Sequence, residues 1–339
     1  MSDFLWGTVT QVGPLRVKLD GDTATIPFTP ESLVDSRLLT VADRVRVELA
    51  NNRVLVHGRF GGDGGADVFR RRNLIVNGNF RTNQRGVASG TLITDGAFFF
   101  DRWHADLSSG KFRPTWTSTP HGQPLTFGYD SPQTFGLFRQ TVERANITPG
   151  YHCLSWAGGG AARVYNQGGS APSFAGSGQV VNLDGLDNVR VEMVGSAGET
   201  VSKVQLERGT VATSFEEIPW AEELLLCQRY YYRITGGGAY KTLLSPGFQT
   251  DTTHARLMAH LPVPMRAVPT LGYSGIEWSD TQTFGVAASG GIYAVDASSS
   301  TRDISLEVGW TGAQGAQFRP GLVRAGGSGG YVDFSAELV

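Results

Sequence analysis

The chain has 339 residues, 45 of them glycine, and only 18% are charged. Its 29 Lys and Arg stand against 31 Asp and Glu, so no global field favours nucleic acid or an anionic membrane. Apolar runs fall short of the ~20 residues that a membrane span needs, and two cysteines, Cys153 and Cys227, are too few for a disulfide framework.

Frequent Val, Thr, Phe and Tyr, punctuated by glycine, favour many short strands joined by tight turns. At this length two or three all-β domains are expected. The cysteine content fits synthesis in a cytosol. The opening MSDFLWG lacks the charged-then-apolar pattern of a signal peptide, so no export by the general route is expected.

Residues 1–60 contain LRVKLDG, TATIPFT and DRVRVELANNRVLVHGRF, with apolar residues at every second position. Gly13-Pro14, Asp20-Gly21-Asp22 and Asn51-Asn52 supply turns. The expected fold is a small OB- or SH3-like barrel. Nucleic-acid binding by such a barrel needs a basic groove and stacking rings. Here seven basic and seven acidic residues are interspersed, so the surface reads as one for docking. Residues 61–72, GGDGGADVFRRR, read as a flexible glycine-rich linker ending in a solvated Arg70-Arg71-Arg72 junction.

Residues 73–220 open with NLIVNGNF, which alternates like a strand and ends in an Asn-Gly turn. FFFDRWHADL, LTFGYD, TFGLFRQTVE, YHCLSWAG, QVVNLDG, VRVEMVGSAG and VSKVQLERG continue the same period. Their spacing predicts an antiparallel jelly-roll β-sandwich. Residues 221–233 form a hinge with a short helix. If WAEELLLCQRYYYR is helical throughout, Leu224, Gln228 and Tyr231 share one face, with Leu225 beside it. Packing on its own domains and packing on another subunit are both open to that face. Residues 234–339 repeat the strand grammar in YKTLLS, HARLMAHLPV, TLGYSGIEWS, GIYAVDAS, DISLEVGW and YVDFSAELV, which predicts a second β-sandwich. Pro262, Pro264 and Pro269 belong at its edges or bends.

NLIVNGNFRTNQRG followed by DRWHA resembles the opening of the carbohydrate-binding-module-like domains of bacteriophage tail fibre and receptor-binding proteins. KVQLERGTVATSFE resembles their closing strand, EELLLCQRYYYR the segment that follows, and PVPMRAVPTL the start of their C-terminal domain. The resemblance covers residues 73–275 well and both ends loosely. It implies a virion protein at the tail tip or baseplate, synthesised in the host cytoplasm and assembled as a homotrimer. Leu224, Leu225, Gln228 and Tyr231 would then lie at the threefold interface. The N-terminal barrel would dock on other tail or baseplate proteins, and residues 234–339 would meet a host cell-surface glycan. A purely structural scaffold and a polysaccharide-trimming enzyme are the alternatives.

Glycan recognition on a sandwich uses exposed rings beside planar polar groups. The rings available are those of Trp103, His104, Trp116, Tyr129, Trp156, Tyr165, Tyr240, Tyr273, Trp278, Tyr293 and Trp310. Trp278, Tyr273, Tyr293 and Trp116 are taken as ligand-binding, Trp278 because polar residues flank it in GIEWSD. No cofactor, metal or nucleic acid is expected, and no insertion into a membrane. Where the family commonly carries an acidic residue beside NGNF, Arg81 stands instead, which weakens a calcium site; Asp184, Asp187 and Asn188 read as turn caps. No HExxH, no GxSxG and no true P-loop is present, GGGAYKT being a glycine-rich turn. Catalytic residues are therefore not assigned.

Overall fold

Alternation of apolar and polar residues builds several of the strands in the computed structural model. It describes residues 3–33, 39, 41, 43–50, 53–60, 71–106, 112–117, 124–129, 135–244, 246–279, 285–294, 300–312 and 316–338. Two compact units, Met1–Arg72 and Asn73–Val339, divide the chain. Most of the expected glycine-rich linker, 61–70, lies outside the described residues.

The first unit is one sheet of β1 (Asp3–Val12), β2 (Leu15–Leu19), β3 (Glu31–Ser32), β4 (Arg44–Ala50) and β5 (Arg53–Phe60). Their order is β2-β1-β4-β5-β3, antiparallel except where β3 meets β5. Val9, Val17, Val45, Val47 and Val56 are fully buried and form the core with Leu15, Ile26, Leu39 and Val54. TATIPFT is not a strand. Ile26 donates one hydrogen bond to Val17 at 2.9 Å, and Pro27 then has no N–H to extend a ladder.

The second unit begins with a nine-stranded sandwich. Its strands are β6 (Phe98–Phe100), β7 (Trp103–Ala105), β8 (Leu125–Thr126), β9 (Phe135–Val142), β10 (Gly150–Gly158), β11 (Ala161–Asn166), β12 (Gln179–Leu183), β13 (Val189–Ser196) and β14 (Thr200–Arg208). Sheets ordered β12-β10-β14-β8 and β11-β13-β9-β7-β6 enclose an aromatic core. Phe138 sits at its centre, edge-on to Phe80, Phe99 and Trp103 at ring-centroid distances of 6.1, 5.6 and 5.3 Å.

NLIVNGNF departs from the strand expected of it and is a buried turn. Asn77 takes a left-handed φ of 58°, and its side chain does the work of a ladder. Its Nδ2 donates to the carbonyls of Thr82 and Asp101 at 2.8 and 3.0 Å, while Oδ1 accepts from the amides of Arg81 and Thr82. A Cβ on Gly78 would stand 2.2 Å from the Val204 carbonyl, so the turn presses directly on β14. FFFDRWHADL likewise breaks into β6 and β7 at Arg102, whose φ is 73°.

Helix α1 spans Trp220–Gln228 behind Pro219, with Glu222 and Glu223 in its first turn, where the helix dipole favours acids. It ends before the three tyrosines, because β-favouring rings resume an extended chain at Tyr231. Tyr231 therefore does not share a helical face with Leu224 and Gln228. Gln228, Tyr230 and Tyr231 are 9%, 3% and 3% exposed, so Gln228 and Tyr231 are covered by their own chain and offer no surface to a partner. Leu225 remains 47% exposed and Leu224 half-buried.

Ten further strands follow: β15 (Tyr231–Thr235), β16 (Gly247–Gln249), β17 (His254–His260), β18 (Thr270–Ser274), β19 (Ile276–Ser279), β20 (Gly285–Ala287), β21 (Gly291–Ala294), β22 (Asp303–Gly309), β23 (Pro320–Ala325) and β24 (Tyr331–Ser335). They make a sheet β15-β24-β18 and a seven-stranded sheet β20-β19-β23-β16-β17-β22-β21. One core joins them through Leu257, Ile304, Leu306, Val308, Val332 and Phe334. Among the described residues YKTLLS gives a single bridge, Thr242 to Arg324. Overall the described chain is an all-β protein of packed sheets.

The segment expected to be a hinge is instead a charged joint. Arg102, 1% exposed, pairs with Glu337, donates to the Thr141 carbonyl and stacks on Tyr230 at 3.6 Å. Arg85 bridges Asp101 and Glu337 at 3.2 Å each and lies 3.5 Å over the Tyr231 ring. Tyr231 donates to Asp333 at 2.7 Å, and Arg233 grips the same carboxylate at 2.6 and 2.8 Å. Arg81 faces Glu223 at 3.3 Å. These pairs tie the sandwich, the helix and β24 together.

Candidate functional site

Burial separates the eleven rings sharply. Trp103, Trp156 and Trp310 are 0%, 8% and 3% exposed. Trp278 is not a ligand platform: it is 0% exposed, stacks on Trp310 at 6.4 Å and presses on Gly321, where a Cβ would be 2.6 Å away. Its polar neighbours in GIEWSD did not signal exposure, because alternate residues of a strand face opposite ways. Trp116 is half-buried and packs on Phe100 at 4.8 Å, at the rim of the sandwich core rather than on an open face.

Tyr273 and Tyr293 stay on the surface, 41% and 42% exposed. A Cβ on Gly291 would lie 3.2 Å from the Tyr273 hydroxyl, so Tyr273 borders β21, the strand that carries Tyr293. Tyr293 opens a row across the seven-stranded sheet. Register pairs Tyr293 with Glu307, Glu307 with Arg256, Arg256 with Phe248 and Phe248 with Pro320. From Tyr293 to Phe248 the row crosses three strand spacings, about 14 Å. Phe248 is 48% exposed, Met258 46% and Phe318 71%.

Glu307 holds the middle of this row. It accepts hydrogen bonds from the Tyr293 hydroxyl and, at 2.8 Å, from Arg256 Nε. Burial pushes its carboxyl up, but the bonds and the positive charge of Arg256 outweigh burial and leave it below the usual carboxylate range. The bond to Glu307, with some burial, pushes the Tyr293 phenol up to about 12, so it stays protonated and donating. Two exposed rings thus flank a fixed ionised pair, an arrangement for stacking on apolar ligand faces and hydrogen bonding to hydroxyls between them. Within the row Glu307 is the one carboxylate, whereas glycoside hydrolysis needs two across a cleft.

The outer face of the five-stranded sheet carries a different row: Arg163, Glu192, Arg139, His104 and Phe98 in register. Glu192 accepts from Arg163 at 2.6 Å and from Tyr165 at 2.7 Å, and Arg139 bonds Asp106 and His104. Desolvation, then the charge of Arg139, lowers His104 to about 4, which leaves a neutral imidazole to accept from Arg139. These groups satisfy one another and their rings are half-buried or buried, so the open row on the seven-stranded sheet is the better site.

Phe248, Arg256, Glu307, Met258 and Phe318 are the members that sequence alone did not single out. HARLMAH did carry a sign of the face, since its alternation puts Arg256 and Met258 opposite Leu257. Both cysteines are buried; desolvation pushes the Cys227 thiol well up and the Cys153 thiol up, away from nucleophile chemistry at neutral pH. Asp184 Oδ1 accepts from the Leu186 amide at 2.9 Å, the turn-capping role, whereas Asn188 Oδ1 accepts from the distant Arg144 amide at 2.9 Å. Among the described residues no three His, Cys, Asp or Glu side chains gather as metal ligands.

The fold and its open row define an all-β sandwich protein with an aromatic surface strip. Compared with known protein families and with curated proteins, the sequence matches none.

Proposed function

We propose that this chain is an attachment protein of a bacteriophage tail tip or baseplate, and that the outer face of its seven-stranded sheet binds host cell-surface glycan. The observation that carries this reading is the row Tyr293–Glu307–Arg256–Phe248, where exposed rings flank a fixed ion pair. A site of two rings is weak alone, and assembly as a homotrimer raises avidity by holding three such sites together. Of the four residues expected at that interface, Leu225 is the one that stays well exposed. The barrel at 1–60 docks on neighbouring virion proteins.

Replacing both Phe248 and Tyr293 by alanine is expected to weaken binding to host cells about thirtyfold or more, with the melting temperature unchanged. A glycan array and host cells both negative for the intact protein would overturn the reading. So would a double variant that binds like the parent. Sedimentation is expected to give three times the 36.4 kDa of one chain, and a monomer would remove the avidity mechanism. A scaffold without receptor contact is the second reading, favoured by the ion-locked joint, and it predicts no cell binding at all.

A further inference from the structure

Where β9 ends, an open cavity of about 410 Å³ is lined by Glu143, Arg144, Ala145, Asn188 and Arg266. That volume has room for a small ligand, and most of it opens directly to solvent, so charged contacts rather than enclosure would hold one. Charge in this corner does not balance. Glu143 has both oxygens engaged, by Arg229 Nη2 at 3.1 and 3.4 Å and by Arg266 Nε at 3.7 Å. One carboxylate thus serves two guanidinium groups. Arg144 adds a third, exposed, and its side chain has no ion-pair partner among the described residues.

The walls are held independently of any ligand. Arg266 Nε donates to the Ala336 carbonyl at 2.9 Å, and its amide to the Arg229 carbonyl at 2.8 Å. The Arg144 amide is fixed by Asn188 Oδ1 at 2.9 Å, and Asn188 Nδ2 is fixed by Gln167 at 3.2 Å. The lining sets Arg144 and Arg266 against Glu143, one surplus positive charge, which suits an anion, and the planar guanidinium fork matches carboxylate or phosphate oxygens.

We propose that this cavity binds a sugar-sized anion, a carboxylated or phosphorylated monosaccharide, with its charged group on Arg144 and Arg266 and its hydroxyls toward Asn188. This does not rest on the exposed row of the seven-stranded sheet, which is built from other strands.

Titration calorimetry of the full chain tests it, with glucuronate, glucose 6-phosphate, glucose and inorganic phosphate as probes. One or both sugar anions should bind with a dissociation constant near or below about 1 mM, weakening as salt rises, while glucose gives no heat. Whichever of the two binds identifies the charged group. Arg144→Ala should weaken that binding about ten- to a hundredfold, the loss of one charge-assisted contact, and Arg144→Glu should abolish it. Arg144 is exposed, so an unchanged melting temperature should show that both variants fold. Binding of neither sugar anion, equal binding of glucose, or an affinity that Arg144→Ala leaves alone would overturn the proposal. Inorganic phosphate binding as tightly as both sugar anions would overturn its sugar component. Phe248→Ala with Tyr293→Ala should leave this binding intact, which separates it from the attachment reading.

Discussion

Glu337→Ala is expected to destabilise the second unit by about 3–5 kcal/mol, seen as a shift of its urea midpoint at pH 7. Glu337 is the shared acceptor of the joint: Arg102 and Arg85 both pair with it, and the Arg102 amide lies 3.4 Å away. Its side chain is 4% exposed, and those of Arg102 and Arg85 are 1% and 12% exposed. Removing the carboxylate leaves the buried Arg102 without its carboxylate partner and Arg85 with Asp101 alone. That penalty is the desolvation cost of an orphaned charge, not the modest net value of an ion pair. Glu337→Gln keeps an acceptor without the charge and should fall between parent and alanine. In a double-mutant cycle, Arg102→Met should recover part of the Glu337→Ala loss, because no fully buried charge then lacks a partner. A shift below about 1 kcal/mol for Glu337→Ala would mean water reaches the joint and screens it.

The strands that could be read in the sequence are those whose two faces differ in solvent. HARLMAH and DISLEVG bury every second residue, and each is one strand. NLIVNGNF shows the same alternation without being a strand, because Asn73 and Asn77 satisfy the backbone with their side chains. Alternation reports burial, and a buried polar turn can mimic it. β1 and β16 were hidden for the opposite reason: DFLWGTVTQV and GFQ offer little contrast between their faces. Of the open row, Tyr293 was legible as a candidate ring, but its neighbours were not. Phe248, Arg256, Tyr293 and Glu307 become neighbours only through strand register, which no local pattern states. The CQRYYYR segment was legible as apolar surface needing cover, but not which chain would supply it. Val76 and Leu338 of the same chain pack against Cys227 and Tyr230 and remove that surface.

Stability of the joint is expected to fall as pH rises from about 4 to about 7 and then level off. Asp101 is fully buried, and desolvation raises its carboxyl from 3.8 to about 7 despite the charge of Arg85 and the hydrogen bonds from Gln84. Nearby Glu337 pushes in the same direction as burial. Between the unfolded and folded values, the native chain holds a proton that the unfolded chain has released. Raising pH through that window therefore favours unfolding, the reverse of a salt-bridged carboxylate with a depressed value. The groups facing Asp101 decide the outcome. Gln84 Nε2 bonds it at 2.8 Å and Arg85 at 3.2 Å. Its own carbonyl accepts from Asn77, and Cys227, its thiol pushed up by burial, feels the Asp101 charge. Melting curves between pH 4 and 8 should show the decline in the parent. Asp101→Asn, a neutral shape mimic, should flatten it, and above pH 7 the variant should lose less stability than its broken ion pair alone would suggest. A parent whose melting temperature climbs from pH 4 to 7, with Asp101→Asn removing the climb, would instead place an ionised Asp101 paired with Arg85 throughout.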